Sequence, residues 1–456
     1  MQNTNKNSFL EGNIFHALIK FALPMLLALF LQALYGAVDL WAVGQFAETK
    51  DIVAVSVGSQ AMLVVSGFVT GLFMGSSVFI ARKIGENDRE GASYIFGGTI
   101  LILGVLSVLI TGLVTIFAPS IASFSRVPAQ AFGDAVSYLR ICGLGTIFIA
   151  GYNAVSSIFR GIGNSSAPLL FVGISCVINI GADVIFIKCF GLGAEGAAMA
   201  TVLSQSVSLI LSLAYMKFKP LPFDLGKKYL KPKKEISLGI IRLGLPIALS
   251  DTLNEICYLI IIGLTNTLGL NEAAGVGVAE KLIVFLLLVP MAYMSAISSF
   301  VSQNIGGNKP ERAKKALRIG VITAGILGGA FSYILFFHGA SLAIIFDKNP
   351  LVIADASLFL RATSLECLIL SVANCFTGYL SGLGKTKFVM LQGVLAVSLV
   401  KIPYAILALR LAKNKLFQIG FATVWGALFT LISCISYYIY LERKGKRQSK
   451  STKQSQ

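Results

Sequence analysis

The chain has 456 residues, of which 55% are hydrophobic and 13% are charged. A soluble domain carries about 25% charged residues, so this composition is too apolar for a protein whose whole surface faces water. Disorder is excluded for the opposite reason, because apolar residues are abundant. The composition therefore indicates a protein that crosses a lipid bilayer many times.

Uncharged runs mark the predicted membrane spans. Since about 20 apolar residues cross a bilayer as a helix, we expect six spans before the polar stretch 217–234. Six more follow it, centred near residues 253, 288, 327, 366, 398 and 428. The runs are continuous rather than alternating, which favours a helical bundle over a barrel. The long run from Gly91 to Ser125 contains Pro119 and then serines, which predict one helix followed by an outer loop.

The basic residues predict the orientation. Most of the 38 lysines and arginines lie in loops that share a side with the N-terminus, and short basic loops stay in the cytoplasm. We therefore expect a multi-pass protein of the cell membrane with both termini cytoplasmic. We also expect it to be a monomer in the lipid bilayer. The net charge of +17 follows from the same bias, so we expect no nucleic-acid partner.

The two halves of the chain repeat each other. The segment around Gly85 and Asn87 resembles the segment around Gly306 and Asn308, at an offset of 221 residues, and several other matches share nearly that offset. Such matches indicate a duplication, and six helices per copy make the repeats parallel. The prediction is an all-α protein with two pseudo-symmetric six-helix lobes and a cavity between them, a transporter frame. Its segments are an N-lobe (1–216), a cytoplasmic linker (217–235), a C-lobe (236–441) and a basic cytoplasmic tail (442–456).

Two acidic residues in the first half share one depth in the membrane. An intramembrane charge costs about 2.5–3.5 kcal/mol or more, so each needs a reason. Asp39 and Asp183 each lie about seven residues from the outer end of a helix, roughly 10 Å below the boundary. Asn179 lies on the same helix face as Asp183, and Thr201 opens the next helix. These oxygens suit a hard cation such as Na⁺, and without it the carboxylates would trap a proton. The alternative is a polar network that holds helices together.

Four more acidic residues lie within predicted spans of the second half: Asp251, Glu255, Glu280 and Glu366. Asp251 and Glu255 are four residues apart and share a helix face. Intramembrane salt bridges are one explanation for the other two, because Lys281 follows Glu280 and Arg361 lies five residues before Glu366.

A proline in the first helix and the few histidines and cysteines limit the kinds of site that the chain can form. Pro24 interrupts the first helix and removes a backbone hydrogen bond, which predicts either a hinge in the helix that carries Asp39 or a static kink. Two histidines and seven cysteines without a C-x-x-C pair make a zinc site or a disulfide framework improbable on spacing alone. The sequence contains no phosphate-binding lysine motif either. We expect no enzyme activity and no cofactor other than a coupling ion.

Several short motifs occur in a fixed order: Tyr35-x-x-x-Asp39-x-x-x-x-Gly44, Ile84-Gly-Glu-Asn-Asp88, Arg160-Gly-x-Gly163, Asn179-x-x-x-Asp183 and Gln303-Asn-Ile-Gly306. Over about residues 10–440 the chain resembles the multidrug and toxic compound extrusion (MATE) family of bacterial type. The resemblance implies export of organic, often cationic, drugs driven by Na⁺ or H⁺ entry. It places the family's N-lobe cation site on Asp39, Asn179, Asp183 and Thr201, with Asn153 nearby, and a Na⁺ on the two aspartates if the protein is sodium-coupled. Some branches of the family use acids of the seventh, eighth and tenth helices to bind cations or cargo, which implies a cargo site or a second cation site on Glu255, Glu280 and Glu366, with Asp251 on the same face as Glu255.

The predicted function is therefore a cation-coupled antiporter for amphipathic organic cations. A lipid-linked oligosaccharide flippase of the same superfamily is one alternative, but a flippase for phosphates should carry more basic than acidic residues within its spans. A non-transporting membrane scaffold is the other alternative, and the paired intramembrane acids argue against it.

Overall fold

The computed structural model describes residues 9–125, 127–231 and 233–454, and every element in these ranges is helical. Eleven described helices are long and apolar enough to cross a membrane. Two shorter helices, bent by 48° at a one-residue break, make a twelfth span if they are taken together. The predicted all-α membrane fold is confirmed. The predicted segments extend over residues 1–8 and 455–456 as well, which lie outside the described residues.

The helices of the first half are α1 (Ile14–Phe46), α2 (Thr49–Gly85), α3 (Arg89–Phe124), α4 (Ala129–Leu144), α5 (Thr146–Gly161), α6 (Ser166–Cys189) and α7 (Gly193–Phe218). A single 3₁₀ turn, Lys227–Leu230, precedes the second half. There the helices are α8 (Lys234–Asn266), α9 (Leu270–Gly306), α10 (Pro310–Ala343), α11 (Pro350–Gly382), α12 (Thr386–Leu411) and α13 (Lys415–Gln454). The bent pair is α4 and α5.

One loop prediction is wrong. We expected the helix after Gly91 to give way to an outer loop at Pro119, but α3 continues through Pro119 to Phe124. A proline inside a helix removes one backbone hydrogen bond and is tolerated in membrane helices, where neighbouring groups satisfy the freed carbonyl.

The described residues divide into two compact units. Unit 1 contains Ile19–Thr252 and Ser302–Asn308, together with Phe9 and Leu10. Unit 2 contains Glu11–Leu18, Leu253–Val301 and the residues from Lys309 onward. Helices α8 and α9 therefore each contribute to both units. The lobe boundaries predicted from the sequence stay a prediction.

Within unit 1, the end of α9 packs closely on the end of α2. A Cβ atom on Gly85 would fall on the carbonyl oxygen of Gln303, and one on Gly306 would fall on the carbonyl oxygen of Arg82. Residues 82 and 303 are offset by the same 221 positions as the two glycines, so the contact is symmetric between the repeats. Only glycine allows the two backbones to approach this closely.

Both of these helices end in the same way. Asn87 and Asn308 follow them with φ of 57° and 55°, a left-handed conformation that asparagine tolerates better than most residues. Asp88 then caps α3, because its Oδ1 accepts a hydrogen bond from the Gly91 N–H at 2.8 Å.

Three consecutive side chains near the end of α9 are buried and donate to backbone carbonyls of unit 1: Ser302 to Val78 (2.6 Å), Gln303 to Gly161 (2.8 Å) and Asn304 to Phe9 (3.0 Å). Buried polar groups need such partners, since leaving one unsatisfied costs about 1–3 kcal/mol. These hydrogen bonds explain why this short segment belongs to unit 1.

The polar stretch between the halves is anchored to α3. Phe223 and Tyr229 are buried, and their rings lie 5.6 Å from Phe96 and 5.1 Å from Tyr94 respectively. Two aromatic side chains of this size bury enough apolar surface to hold a connecting segment in place. The stretch is therefore a packed connection, although its lysines gave only the signal of a cytoplasmic loop.

Candidate coupling-ion site

The carboxylates predicted from their depth come together in unit 1. Asp39 on α1 is 6% exposed, and Asn179 and Asp183 on α6 are fully buried. The hydroxyl of Thr201, on α7, donates to Asp39 Oδ2 at 3.1 Å. The side chains of Asp183 and Asn179 lie close enough to Asp39 to act on it electrostatically. Three helices thus bring the four predicted side chains into one set.

The polar atoms of this set are largely unpaired. Among the described residues, Asp39 Oδ1, both carboxylate oxygens of Asp183 and both amide atoms of Asn179 are buried without a hydrogen-bond partner. A buried, unpaired charge costs several kcal/mol, so two facing carboxylates need a cation or a proton. Carboxylate, amide and hydroxyl oxygens are the donors that a hard cation prefers. The described chain has no cluster of three or more His, Cys, Asp or Glu side chains, as a transition-metal site would usually need.

Each of the three helices contributes a pair of side chains one turn apart: Tyr35 and Asp39 on α1, Asn179 and Asp183 on α6, Thr201 and Gln205 on α7. Residues at this spacing share a helix face. Gln205 is 6% exposed, and its amide donates to the Tyr35 hydroxyl at 3.0 Å. Sequence reasoning missed Gln205, although its spacing of four from Thr201 was the available signal.

Asn153, which only the family resemblance placed near this site, makes its hydrogen bonds elsewhere. Its Oδ1 accepts from the Thr70 hydroxyl at 3.2 Å, and its Nδ2 donates to the Ile149 carbonyl at 2.8 Å. These contacts join α5 to α2 and to its own preceding turn rather than to either carboxylate.

Pro24 lies inside α1, fifteen residues before Asp39. The carbonyl of Phe21, on the turn before the proline, accepts a hydrogen bond from the buried Ser165 hydroxyl at 2.7 Å. Ser165 therefore holds α1 on the N-terminal side of Pro24, next to the point where proline interrupts the helix hydrogen bonds. This geometry is compatible with the predicted hinge and with a static kink.

The acidic residues predicted in the second half do not form a single set. Asp251 belongs to unit 1, whereas Glu255, Glu280 and Glu366 belong to unit 2. Glu255 is exposed, Asp251 and Glu280 are half-buried, and Glu366 is 2% exposed. Glu366 Oε1 accepts a hydrogen bond from the Tyr258 hydroxyl at 3.2 Å.

The local salt bridges offered as an alternative are not formed. Lys281 and Arg361 are exposed, and the salt bridges among the described residues do not include Glu280 or Glu366. The basic residue that acts electrostatically on both Glu255 and Glu366 is instead Lys401, on α12.

Comparison with known proteins places the sequence in a family. The sequence profile of MatE matches residues 24–185 and again residues 246–407, together more than half of the chain. The chain belongs to the MatE family. The starts and the ends of the two matches are each 222 residues apart, so this MATE-family chain carries the predicted internal duplication.

The MATE chain is similar to curated proteins over nearly its whole length. It is 26% identical over 434 residues to the probable multidrug resistance protein YpnP of Bacillus subtilis, covering 95% of this chain and 96% of that protein. It is 26% identical over 399 residues to the multidrug export protein MepA of Staphylococcus saprophyticus, covering 85% and 87% respectively.

The fold is shared with solved MATE structures. An outward-facing multidrug resistance MATE family transporter of the MOP superfamily superposes with a TM-score of 0.89 at 22% identity, covering 99% of this chain and 100% of that one. This likeness is one of fold, and it identifies the chain as a multi-pass membrane protein built like a MATE transporter.

Proposed function

We propose that this chain is a cation-coupled antiporter that exports amphipathic organic cations from the cell, driven by entry of Na⁺ or H⁺ through the Asp39–Asp183 site. The observation that carries the proposal is the buried, unpaired set of oxygens on Asp39, Asn179 and Asp183. In a purely structural network these atoms would be hydrogen-bonded to one another or to neighbouring groups. An ion-binding site instead needs oxygens that are available to coordinate the ion.

The ion would couple to cargo through the charge of the site. With an ion bound, the two carboxylates are compensated and the buried arrangement of unit 1 is stable. When the ion leaves towards the cytoplasm, the carboxylates repel each other and attract water, which favours another arrangement of α1 about Pro24. One monovalent cation leaves one negative charge, so a proton on the second carboxylate would complete the balance.

The nature of the cargo is proposed from the relatives and from the intramembrane charges. MepA is named a multidrug export protein, and YpnP a probable multidrug resistance protein. The acids Asp251, Glu255 and Glu280 supply negative charge that favours cationic cargo, and Glu255 is the most accessible of the three. The proposed location is the cell membrane, as a monomer with both termini in the cytoplasm.

The test is flux in proteoliposomes under an imposed Na⁺ or H⁺ gradient, with a fluorescent aromatic cation as cargo. Asp39→Asn and Asp183→Asn should each lower gradient-driven transport by about tenfold or more, because the amide keeps the shape but cannot carry the compensated charge. Asp251→Asn is the comparison variant: it removes a half-buried intramembrane acid assigned to cargo attraction rather than to the ion set. It should lower transport less than either substitution in the set and keep the dependence on the gradient.

Wild-type transport rates in both N-lobe variants, with normal amounts of folded protein, would move the ion site elsewhere. No gradient-dependent cation flux in the wild-type protein would overturn the antiporter proposal and favour the flippase or the scaffold.

A further inference from the structure

A lysine is buried in the membrane region of unit 2. Lys401 on α12 is 6% exposed, and its stem lies against Gly426 on α13, where a Cβ atom would collide with the Cγ, Cδ and Cε of the lysine. An ammonium at this depth costs several kcal/mol unless it is compensated. The missing side chain at position 426 shows that the packing makes room for the lysine.

The partners of the ammonium lie on α8. Lys401 Nζ donates to Asn254 Oδ1 at 3.2 Å, and it lies over the Tyr258 ring, 5.7 Å from its centroid. The face of a tyrosine ring attracts a cation. The same tyrosine donates its hydroxyl to the buried carboxylate of Glu366 on α11. Tyr258 thus connects the buried base to the buried acid, and Lys401 also attracts Glu366 directly.

The arrangement resembles the ion site of unit 1 in one respect, because in each a threonine of the last helix of its half lies beside a buried carboxylate. Thr201 on α7 and Thr423 on α13 are separated by the 222-residue offset of the family matches. Thr201 donates to Asp39, and the Thr423 side chain lies beside Glu366. At the same offset Lys401 on α12 corresponds to Asn179 on α6, and Asp183 corresponds to Ala405. The second half therefore has a lysine where the first half has an amide, and it lacks the second carboxylate.

Both helices also contain a π-helical turn next to a charged side chain, although the turns are not repeat-equivalent, since Val184 corresponds to Ile406. Asp183 immediately precedes a π-helical turn, Val184–Cys189, and Lys401 ends one, Ala396–Lys401. Such wide turns often occur at functional sites, where they re-aim a side chain. In both helices, a charged side chain at the edge of the π-helical turn faces a carboxylate from another helix of its own unit.

We propose that Lys401 is a built-in counter-ion. Its ammonium compensates Glu366 as a mobile ion compensates the Asp39–Asp183 pair, and it keeps Glu366 from binding Na⁺ or H⁺. The comparison with unit 1 rests on the proposed antiport, but the compensation within unit 2 is measured without transport. The chain then carries a single coupling-ion site, in unit 1.

The test removes the charge of Lys401 and keeps most of its stem. Purified Lys401→Met protein should bind one more cation per chain than the wild type. The increment is read in two ways: as ²²Na⁺ bound at equilibrium, and as a protonated-carboxyl band in the infrared spectrum. Lys401→Met combined with Glu366→Gln should lose the increment, and Lys401→Arg, which keeps the charge, should match the wild type in both measurements.

Whether each variant folds determines how the binding measurements are interpreted. If Lys401→Met is unstable but Glu366→Gln restores its folding, the uncompensated carboxylate is the cause, and the proposal is supported. If Lys401→Met folds and matches the wild type in both measurements, the proposal is wrong. It is also wrong if neither the single nor the double variant folds, because Lys401 then serves packing rather than charge compensation. A failure of transport in the wild type would not change any of these results.

Discussion

Buried carboxylates in the two units differ in how their negative charge is compensated. Glu366 has a tyrosine hydroxyl within hydrogen-bond distance and a lysine in electrostatic reach. Asp183 has neither, and both of its oxygens lack a partner among the described residues. Burying an uncompensated charge is costly. Glu366 can therefore stay buried without a bound ion, whereas Asp183 needs an exchangeable cation or proton.

Asp88, in the loop between α2 and α3, gives a prediction for pH. The Lys83 ammonium, 2.8 Å from its carboxylate, and then the Gly91 N–H lower the pKa of Asp88 below the ordinary 3.8. A carboxylate with a depressed pKa in the folded state stabilises the protein above its unfolded pKa. That stability is lost as the pH falls through the folded pKa.

We therefore expect Asp88→Asn to lower the thermal unfolding midpoint at neutral pH. The loss in the free energy of unfolding should be below about 1 kcal/mol, because the ion pair is partly exposed. The difference from the wild type should vanish as the pH is lowered below about 4. Unfolding of the detergent-solubilised proteins over a pH series measures this, and a difference that stays constant down to the lowest pH would contradict it.

The sequence alone could place Asp39 and Asp183 together, because counting residues along each helix gives their depth. It could not find the partners of Lys401, since these depend on the rotation of α8, α11 and α12 about their own axes. Only local partners were visible in the sequence, and Lys281 and Arg361 are exposed in the structure.

At the scale of helices, the crossing of α2 and α9 depends on two glycines that are related by the repeat. Gly85→Ala or Gly306→Ala should each force the backbones apart and lower stability by about 1–3 kcal/mol. The double variant should lose less than the sum, because one separation of the helices accommodates both methyl groups. Thermal unfolding in detergent measures all three variants.

Gly104→Ala is the matched control for these substitutions. Gly104 is an exposed helical glycine of α3 whose added Cβ atom would meet nothing within 4 Å. Alanine is favoured over glycine inside a helix by about 1 kcal/mol, so this variant should be neutral or more stable. Equal losses in Gly104→Ala and Gly85→Ala would show that the close crossing is not the cause.

The helices themselves were largely predictable, since long uncharged runs give the spans and the repeated motifs give the duplication. What the sequence missed at this scale depends on neighbours. Pro119 stays helical, and the connection with Phe223 and Tyr229 packs on α3. Neither outcome follows from local composition, because each depends on which helix lies alongside.

For the whole molecule, the orientation in the membrane remains to be measured. Cys189 is the exposed one of the seven cysteines, so its replacement by serine leaves buried thiols as background. In that protein, Lys227→Cys should react with an impermeant thiol reagent only from the cytoplasm, and Leu270→Cys only from outside. Both positions are exposed. Reaction of position 227 from outside intact cells would invert the proposed topology.

The hydrogen bonds from Ser302, Gln303 and Asn304 also set an order of events during synthesis. These donors leave the ribosome roughly 220 residues after the α2 carbonyl that accepts from Ser302, a delay of about 10–40 s at 5–20 residues per second. Until then, the carbonyls of Val78 and Gly161 lack the donors that they have in the finished protein. The first six spans therefore enter the membrane as an incomplete unit, which the end of α9 completes. A fragment that ends before α9 should be open to proteolysis.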